Sequence, residues 1–215
     1  MKFGVITLST LGILGLSNLA LAQTPPERVG FQMDIRTGYS LPMGSFVKDV
    51  DLSNAVSGQV PFIVDIGGKP IPELFIGGYF GMGFGGFGGT SSDACKAAGE
   101  DCAAVGLHMG VEAQYHILPR GSVNPWVGYG LGYESLGRAV SRNGVTASAS
   151  VGGFEFARLM GGVDFRLTRV FGVGPFVDLS MATFSTFNDG DQSRSIPETG
   201  IHEWLTLGVR FVFFP

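Results

Sequence analysis

From Gly30 to the end of the chain, apolar residues recur at alternate positions in one segment after another. The last segment reads IHEWLTLGVRFVFFP. Leu205, Leu207, Val209, Phe211 and Phe213 share one face, and Thr206, Gly208 and Arg210 fall on the other. A period of two belongs to a strand, whose successive side chains point to opposite faces. Seven earlier segments repeat it: Gly30–Leu41, Val56–Gly67, Ile71–Phe84, Ala103–Leu118, Pro125–Leu136, Gly153–Leu167 and Val170–Phe184. The fourth is the most regular, with Val105, Leu107, Met109, Val111, Ala113, Tyr115 and Ile117 against Gly106, His108, Gly110, Glu112, Gln114 and His116. In the sixth, Ala157, Leu159, Val163 and Phe165 form the greasy face, and Phe156, Arg158, Met160, Asp164 and Arg166 the other. Pro61 removes a ladder donor from the second and marks a bulge or an edge there. Eight strands are predicted, each long enough to cross a bilayer at about 10 residues.

The connections alternate in length. Tight turns are expected at Gly67–Pro70, Pro119–Asn124 and Thr168–Arg169, where Gly, Pro and polar residues cluster. Longer polar loops are expected at Pro42–Ala55, Gly85–Cys102, Gly137–Gly152 and Ser185–Gly200. Asn143-Gly144 is a strong hairpin signal, so the strands flanking it are free to run beyond a membrane. Short turns on one side and long loops on the other, with both termini on the short-turn side, is the arrangement of bacterial outer-membrane barrels.

Composition decides what the greasy face meets. The chain holds 35 Gly and 18 Phe, and only 15% of its residues are charged, against about 25% in an ordinary soluble domain. It opens MKFGVITLSTLGILGLSNLALA, a positive residue, an apolar run and Ala20-Leu21-Ala22. That is the pattern of a secretory signal peptide, expected to be cut before Gln23. After it, no 18-residue apolar run is free of Pro, Gly clusters or charge, so no helical span is expected. Only closed sheets satisfy the backbone in lipid without helices. The expected fold is therefore all-β, an eight-stranded antiparallel up-and-down transmembrane β-barrel over residues 23–215, located in a bacterial outer membrane.

On this reading the greasy face meets lipid and the other face lines a lumen just filled by side chains. Lumen glycines then make room where a narrow barrel has little space for Cβ. Tyr39, Tyr115, Trp126, Tyr133, Trp204 and Phe213, near strand ends, suit interfacial girdles. The net charge of −4 comes with no basic run, so no nucleic-acid partner is expected.

These motifs together resemble the small eight-stranded outer-membrane barrels, the superfamily of the transmembrane domain of outer-membrane protein A. The likeness is carried by GGYFGMGFGG, NPWVGYGLGYE, MGGVDFRL, VGPFVDLS and WLTLGVRFVFF, and spans essentially the whole chain after the signal. The resemblance implies partners in outer-membrane lipid and lipopolysaccharide, and a C-terminal strand read by the barrel-insertion machinery. Leu205 to Phe213 fit that signal, but Pro215 stands where an aromatic residue is expected. The motifs specify an architecture and no activity.

Candidate chemistry is sparse. Gly81-Met82-Gly83-Phe84-Gly85-Gly86 matches the dinucleotide fingerprint in form only, since no helix start to hold a pyrophosphate is expected after it. Asp34, Asp65, Glu112, Asp164 and Asp178 are expected to meet Arg36, Arg158, Arg166 and Arg210 in a lumen charge network, because buried charges must be paired. A structural plug is the favoured role; a narrow path for ions or small solutes is the alternative. Some small barrels are lipid A-modifying enzymes with Ser, His and acid sites. Here His108 and His116 lie roughly 27 Å apart along one strand face, at about 3.4 Å per residue, so they do not act together. No enzyme activity, catalytic residue, cofactor or metal is expected. Asn188-Asp189-Gly190-Asp191 reads as a solvated turn, with too few ligands for a calcium loop. Cys95 and Cys102 are expected to close a local disulfide. With the loops on a rigid scaffold, the expected role is structural, adhesive or surface-interacting.

Overall fold

The computed structural model describes residues 29–48, 50–142, 145–189 and 192–214. The expected signal peptide, Asn143-Gly144, Gly190-Asp191 and Pro215 lie outside them. The elements in order are β1 (Gly30–Val47), β2 (Val50–Asp51), α1 (Leu52–Ala55), β3 (Val56–Ile71), β4 (Leu74–Phe87), α2 (Gly89–Ala98), β5 (Asp101–His116), β6 (Val123–Arg142), β7 (Val145–Arg166), β8 (Phe171–Asn188), β9 (Ser193–Ser195) and β10 (Ile201–Phe213).

Each long strand pairs antiparallel with its neighbour in sequence, and β10 pairs with both β8 and β1, which closes the ring. The closed strands are β1, β3, β4, β5, β6, β7, β8 and β10. The protein is an eight-stranded antiparallel up-and-down transmembrane β-barrel.

The alternation sorts the side chains as a membrane barrel requires. Phe31, Phe62, Ile66, Ile76, Phe80, Val111, Tyr115, Val127, Leu159, Val177 and Leu207 point outward and are exposed. Gln32, Asp34, Arg36, Asp65, Glu112, Gln114, Asp178 and Arg210 are buried inside. A soluble barrel would show the reverse, since water rewards exposed polar groups and buried apolar ones. On the long-loop side the apolar belt ends at Tyr133 of β6 and its cross-strand partner Phe154 of β7. Beyond that level β6 and β7 are rich in Ser, Gly, Ala and Val, with Leu136 and Arg138 among them.

Several expectations need correction. The segment Gly137–Gly152 is strand throughout its described residues: β6 and β7 continue through it, the extension that the hairpin signal allowed, with paired residues as far as Arg142 and Val145. The Gly85–Cys102 loop contains α2. It stops at Gly99, whose φ of 65° is the left-handed conformation that ends helices and that glycine adopts freely. The Pro42–Ala55 loop begins as strand and folds into β2 and α1. The turn expected at Gly67–Pro70 falls later, at Pro72–Glu73, because β3 keeps pairing to Ile71 after a register shift. Pro61 interrupts the ladder on one side only. Pairing with β1 runs to Thr37–Phe62 and resumes in the same register at Ser40–Gln59.

Two further corrections reach the lumen. Phe156 does not face inward. The β7–β8 register shifts between Glu155 and Ala157, so Phe156 is the extra residue of a bulge. Its neighbour Glu155 enters the lumen instead, fully buried. Trp126 and Trp204 are not girdle residues: they are 1% and 2% exposed. They lie in phase with Asn124 and Gly128, and with His202 and Thr206, on the inward face. Tyr39, Tyr115 and Tyr133 do face out.

Candidate functional site: a layered lumen

The lumen is filled in layers. At the short-turn end, Trp126, Met160 and Phe176 form a small apolar cluster. His116 Nδ1 lies 2.7 Å from the Asn124 amide nitrogen. A cavity here, lined by Gly121, Asn124, Asp164, Arg166, Gly172 and Phe214, measures about 10 Å³, room for about one water.

Above it lies an arginine layer. The β1–β10 register places Arg36 directly opposite Arg210, and the β1–β3 register places Asp34 opposite Asp65. Like charges side by side repel, so each guanidinium must be surrounded by acids. Arg36 donates to Asp65 with both prongs of its fork, from Nε to Oδ2 at 2.7 Å and from Nη2 to Oδ1 at 2.6 Å. It also donates to Asp178 at 3.0 Å and to Glu112 at 3.1 Å. Arg210 donates to Asp34 at 2.7 Å and to the Gln114 side-chain carbonyl at 2.6 Å. Asp164 lies 3.4 Å from Arg210, whose guanidinium sits over Trp126, 4.1 Å from the ring centroid. Arg158 donates to Asp178 at 2.7 Å. These are charge-assisted bonds, the strong kind.

Arg166 stands apart from this network. It is half-buried at the short-turn end and donates to the Pro119 carbonyl at 2.8 Å. Eight of the nine charged residues expected in the lumen thus share one layer: Asp34, Arg36, Asp65, Glu112, Arg158, Asp164, Asp178 and Arg210. Gln114, which donates to Glu112 at 2.6 Å and accepts from Arg210, connects its two halves.

A histidine–glutamate layer follows, and the sequence reading did not assemble it. Glu155 accepts from Tyr79 Oη at 2.7 Å through Oε1, and Oε2 lies 3.1 Å from His108 Nδ1. Glu134 accepts from Trp204 Nε1 at 2.8 Å through Oε1, and Oε2 lies 3.2 Å from His202 Nε2. His108 and Glu134 are register partners on β5 and β6. Tyr79 crosses the lumen to reach Glu155, which requires glycine at 110 and 132. A Cβ at either position would fall 2.6 Å or 2.5 Å from Tyr79 Oη.

An apolar cap closes the long-loop end. Leu52, Ala55 and Val56 pack against Ala104, Leu136, Val151, Phe184 and Trp204, with Phe46, Phe87, Phe187 and Ile196 around them. Helix α1 therefore acts as a stopper: Leu52 is fully buried. The cap stands at the watery end of the barrel, so the hydrophobic effect supports it at about 1.5–3 kcal/mol per large side chain buried. The Phe184 ring stacks on His202 at 4.0 Å, joining the cap to the layer beneath.

Outside the barrel, Cys95 and Cys102 form a disulfide that ties α2 to the start of β5. Asp189 accepts from the Gln192 backbone N–H at 3.1 Å and from Arg194 at 2.9 Å, as a solvated turn does.

No family model and no curated protein sequence matches the chain. Among solved structures it is similar to Neisserial surface protein A, at 14% identity over 85% of this chain and 96% of that one, with a TM-score of 0.49. It is also similar to Ail, the attachment invasion locus protein of Yersinia pestis, solved with the heparin analogue sucrose octasulfate. There the identity is 13%, over 86% of this chain and 99% of Ail, with a TM-score of 0.47. OprG of Pseudomonas aeruginosa matches at 11% identity over 87% and 98%, with a TM-score of 0.48.

Proposed function

We propose that this protein is an outer-membrane barrel whose working surface is its long-loop end, with a structural or adhesive role and no solute pathway. The observation that carries the reading is the filled lumen. Arginine–carboxylate, histidine–glutamate and apolar layers follow one another from end to end, and α1 stoppers the last. A pore needs a continuous wet path, whereas these buried charges are spent on one another. The loop end is, by contrast, built up. A 22-residue strand such as β7 runs roughly 70 Å, and only 9–11 residues are needed to cross the bilayer core. The β6–β7 hairpin therefore stands well clear of the lipid. Beside it, α2 is stapled by a disulfide, a bond that persists in an oxidising, exported setting. Rigid scaffolds that hold protruding ordered segments commonly place recognition there. The closing strand β10 supplies the alternate apolar residues that barrel insertion requires.

Two measurements test this. Purified protein in planar bilayers is expected to give no conductance above the bare membrane. Cells displaying the chain are expected to be retained on matrix-glycoprotein or polysaccharide films, and to lose retention when residues 138–149 are replaced by a two-residue turn. Reproducible conductance steps from the intact barrel would instead establish the channel. Unchanged retention by the shortened hairpin, with the barrel still folded, would remove the adhesive role.

A further inference from the structure

The histidine–glutamate layer has a geometry that hydrogen bonding alone does not require. His108 on β5, Glu134 on β6 and Glu155 on β7 each offer one ligand-capable atom, and the three atoms lie within 4.8 Å of one another. His202, from β10 across the lumen, adds its Nε2 at 3.2 Å from the Glu134 oxygen. All four residues are buried, none more than 5% exposed.

Each carboxylate divides its two oxygens in the same way. One is held by an aromatic donor, Tyr79 for Glu155 and Trp204 for Glu134; the other faces a histidine. Outer donors that fix the orientation of carboxylates, leaving one oxygen free to ligate, are the usual surroundings of a metal site. Charge points the same way. Among the described residues the barrel buries seven carboxylates, at 34, 65, 112, 134, 155, 164 and 178, against four basic side chains, at 36, 69, 158 and 210. Five of those carboxylates share the arginine layer with three guanidiniums; the other two stand in this layer, where the nearest fixed cation is Arg158, 3.6 Å from Glu155. Two neutral imidazoles, two carboxylates and one divalent cation form a neutral set.

We propose that His108, Glu134, Glu155 and His202 bind one divalent transition-metal ion of the zinc class inside the barrel. Imidazole and carboxylate ligands suit such an ion, and zinc takes four of them tetrahedrally at about 2.0–2.2 Å. Small rotamer shifts draw the four atoms together, since two of the contacts already stand near 3 Å. The apolar cap above and the arginine layer below enclose the ion, so it enters as the barrel folds and exchanges slowly afterwards. It would link β5, β6 and β7 to β10 across the lumen.

The test uses tag-free protein extracted from membranes, stripped with chelator while unfolded, and refolded in detergent with or without one equivalent of Zn²⁺. After desalting, elemental analysis is expected to find about one zinc per folded chain. Refolding with Co²⁺ is expected to give the visible absorption bands of a tetrahedral site. Glu155→Gln and His108→Gln should lose the zinc and the bands. His116→Gln, on the same strand but at the short-turn end, should keep both. Folding of each variant is read from its heat-shifted gel mobility. If a variant fails to fold, the wild-type stoichiometry and cobalt spectrum still decide. Folded wild-type protein without zinc overturns the proposal, as does full zinc in Glu155→Gln or loss of zinc in His116→Gln.

Discussion

Two layers of one lumen, sharing strands β5, β7 and β10, hold buried carboxylates by different means. In the arginine layer every acid meets a guanidinium that stays charged at any physiological pH, and one fork serves three acids on three strands. In the histidine–glutamate layer, two acids face two imidazoles whose charge is not fixed, with Tyr79 and Trp204 donating to their far oxygens and Arg158 standing 3.6 Å from Glu155. The first arrangement gives every acid a fixed positive partner. The second tolerates exchange of a proton or a metal ion for the same negative charge. Position in the barrel, and not the identity of the acid, separates a structural plug from a site able to bind something.

The largest expected effect tests the arginine layer. Arg36→Met keeps the volume but leaves Asp65 with neither prong of its fork and removes one partner each from Glu112 and Asp178. Breaking a buried ion pair from one side costs about 3–5 kcal/mol. Urea unfolding in lipid vesicles, followed through the fluorescence of buried Trp126 and Trp204, should show a loss of that size. A loss below about 1 kcal/mol would mean that water reaches this layer and that the plug is looser than its distances imply.

Tyr79 links the layers, since Arg158 sits over its ring at 4.7 Å from the centroid while its hydroxyl reaches Glu155, so Gly132→Ala comes next. The new Cβ would lie 2.5 Å from Tyr79 Oη, and closer still to the Met109 carbonyl, with an expected cost of about 1–3 kcal/mol from overpacking. Because the tyrosine must move, the Glu155 oxygen loses its donor. The same substitution in a Tyr79→Phe background should then cost less, since part of the clash is gone, and a double-mutant cycle measures that coupling. Equal costs in both backgrounds would show the clash to be with backbone alone.

Glu155→Gln in metal-free protein should be milder, about 1 kcal/mol. Glutamine still accepts from Tyr79, presents a polar group to His108 and removes one negative charge from an acidic layer. The same unfolding assay would therefore rank Arg36→Met far above Glu155→Gln. If the two cost the same, the distinction between a fixed layer and an exchangeable one fails.

Much of this lumen was legible in the alternation, because a period of two commits every second residue to one face. Asp34, Asp65, Glu112, Asp178 and Arg210 fall inside for that reason alone. Trp126 and Trp204 were legible too, since their phase matches Asn124 and His202; the expectation of an aromatic girdle, which rests on residue type, misplaced them. Glu155 was hidden by the bulge at Phe156, which shifts the phase of β7 by one residue and leaves no mark in the local sequence. The pairing of Glu134 with His202 was hidden for another reason: β6 and β10 meet only across the closed barrel. Helix α2 carried a readable stop at Gly99 after an Ala- and Lys-containing stretch, but its apolar residues follow no helical stripe. The disulfide was legible from two cysteines in an exported chain.

That disulfide gives the smallest expected effect on the barrel and separates the lumen from the loops. Cys95 and Cys102 are 7 residues apart, and closing so short a loop restricts the open state by about 2 kcal/mol in the chain-entropy account. The open state it restricts is that of the loop, because none of the residues in the cap cluster comes from α2. Replacing both cysteines by serine should therefore leave the urea midpoint of the barrel unchanged. Trypsin cleavage after Lys96, an exposed residue on α2, should accelerate on the order of tenfold or more when opening is fast compared with cutting. A lowered barrel midpoint would instead show that the α2 segment helps hold the cap, through the contacts of Phe87 with the buried cluster, and that the loop end and the lumen unfold together.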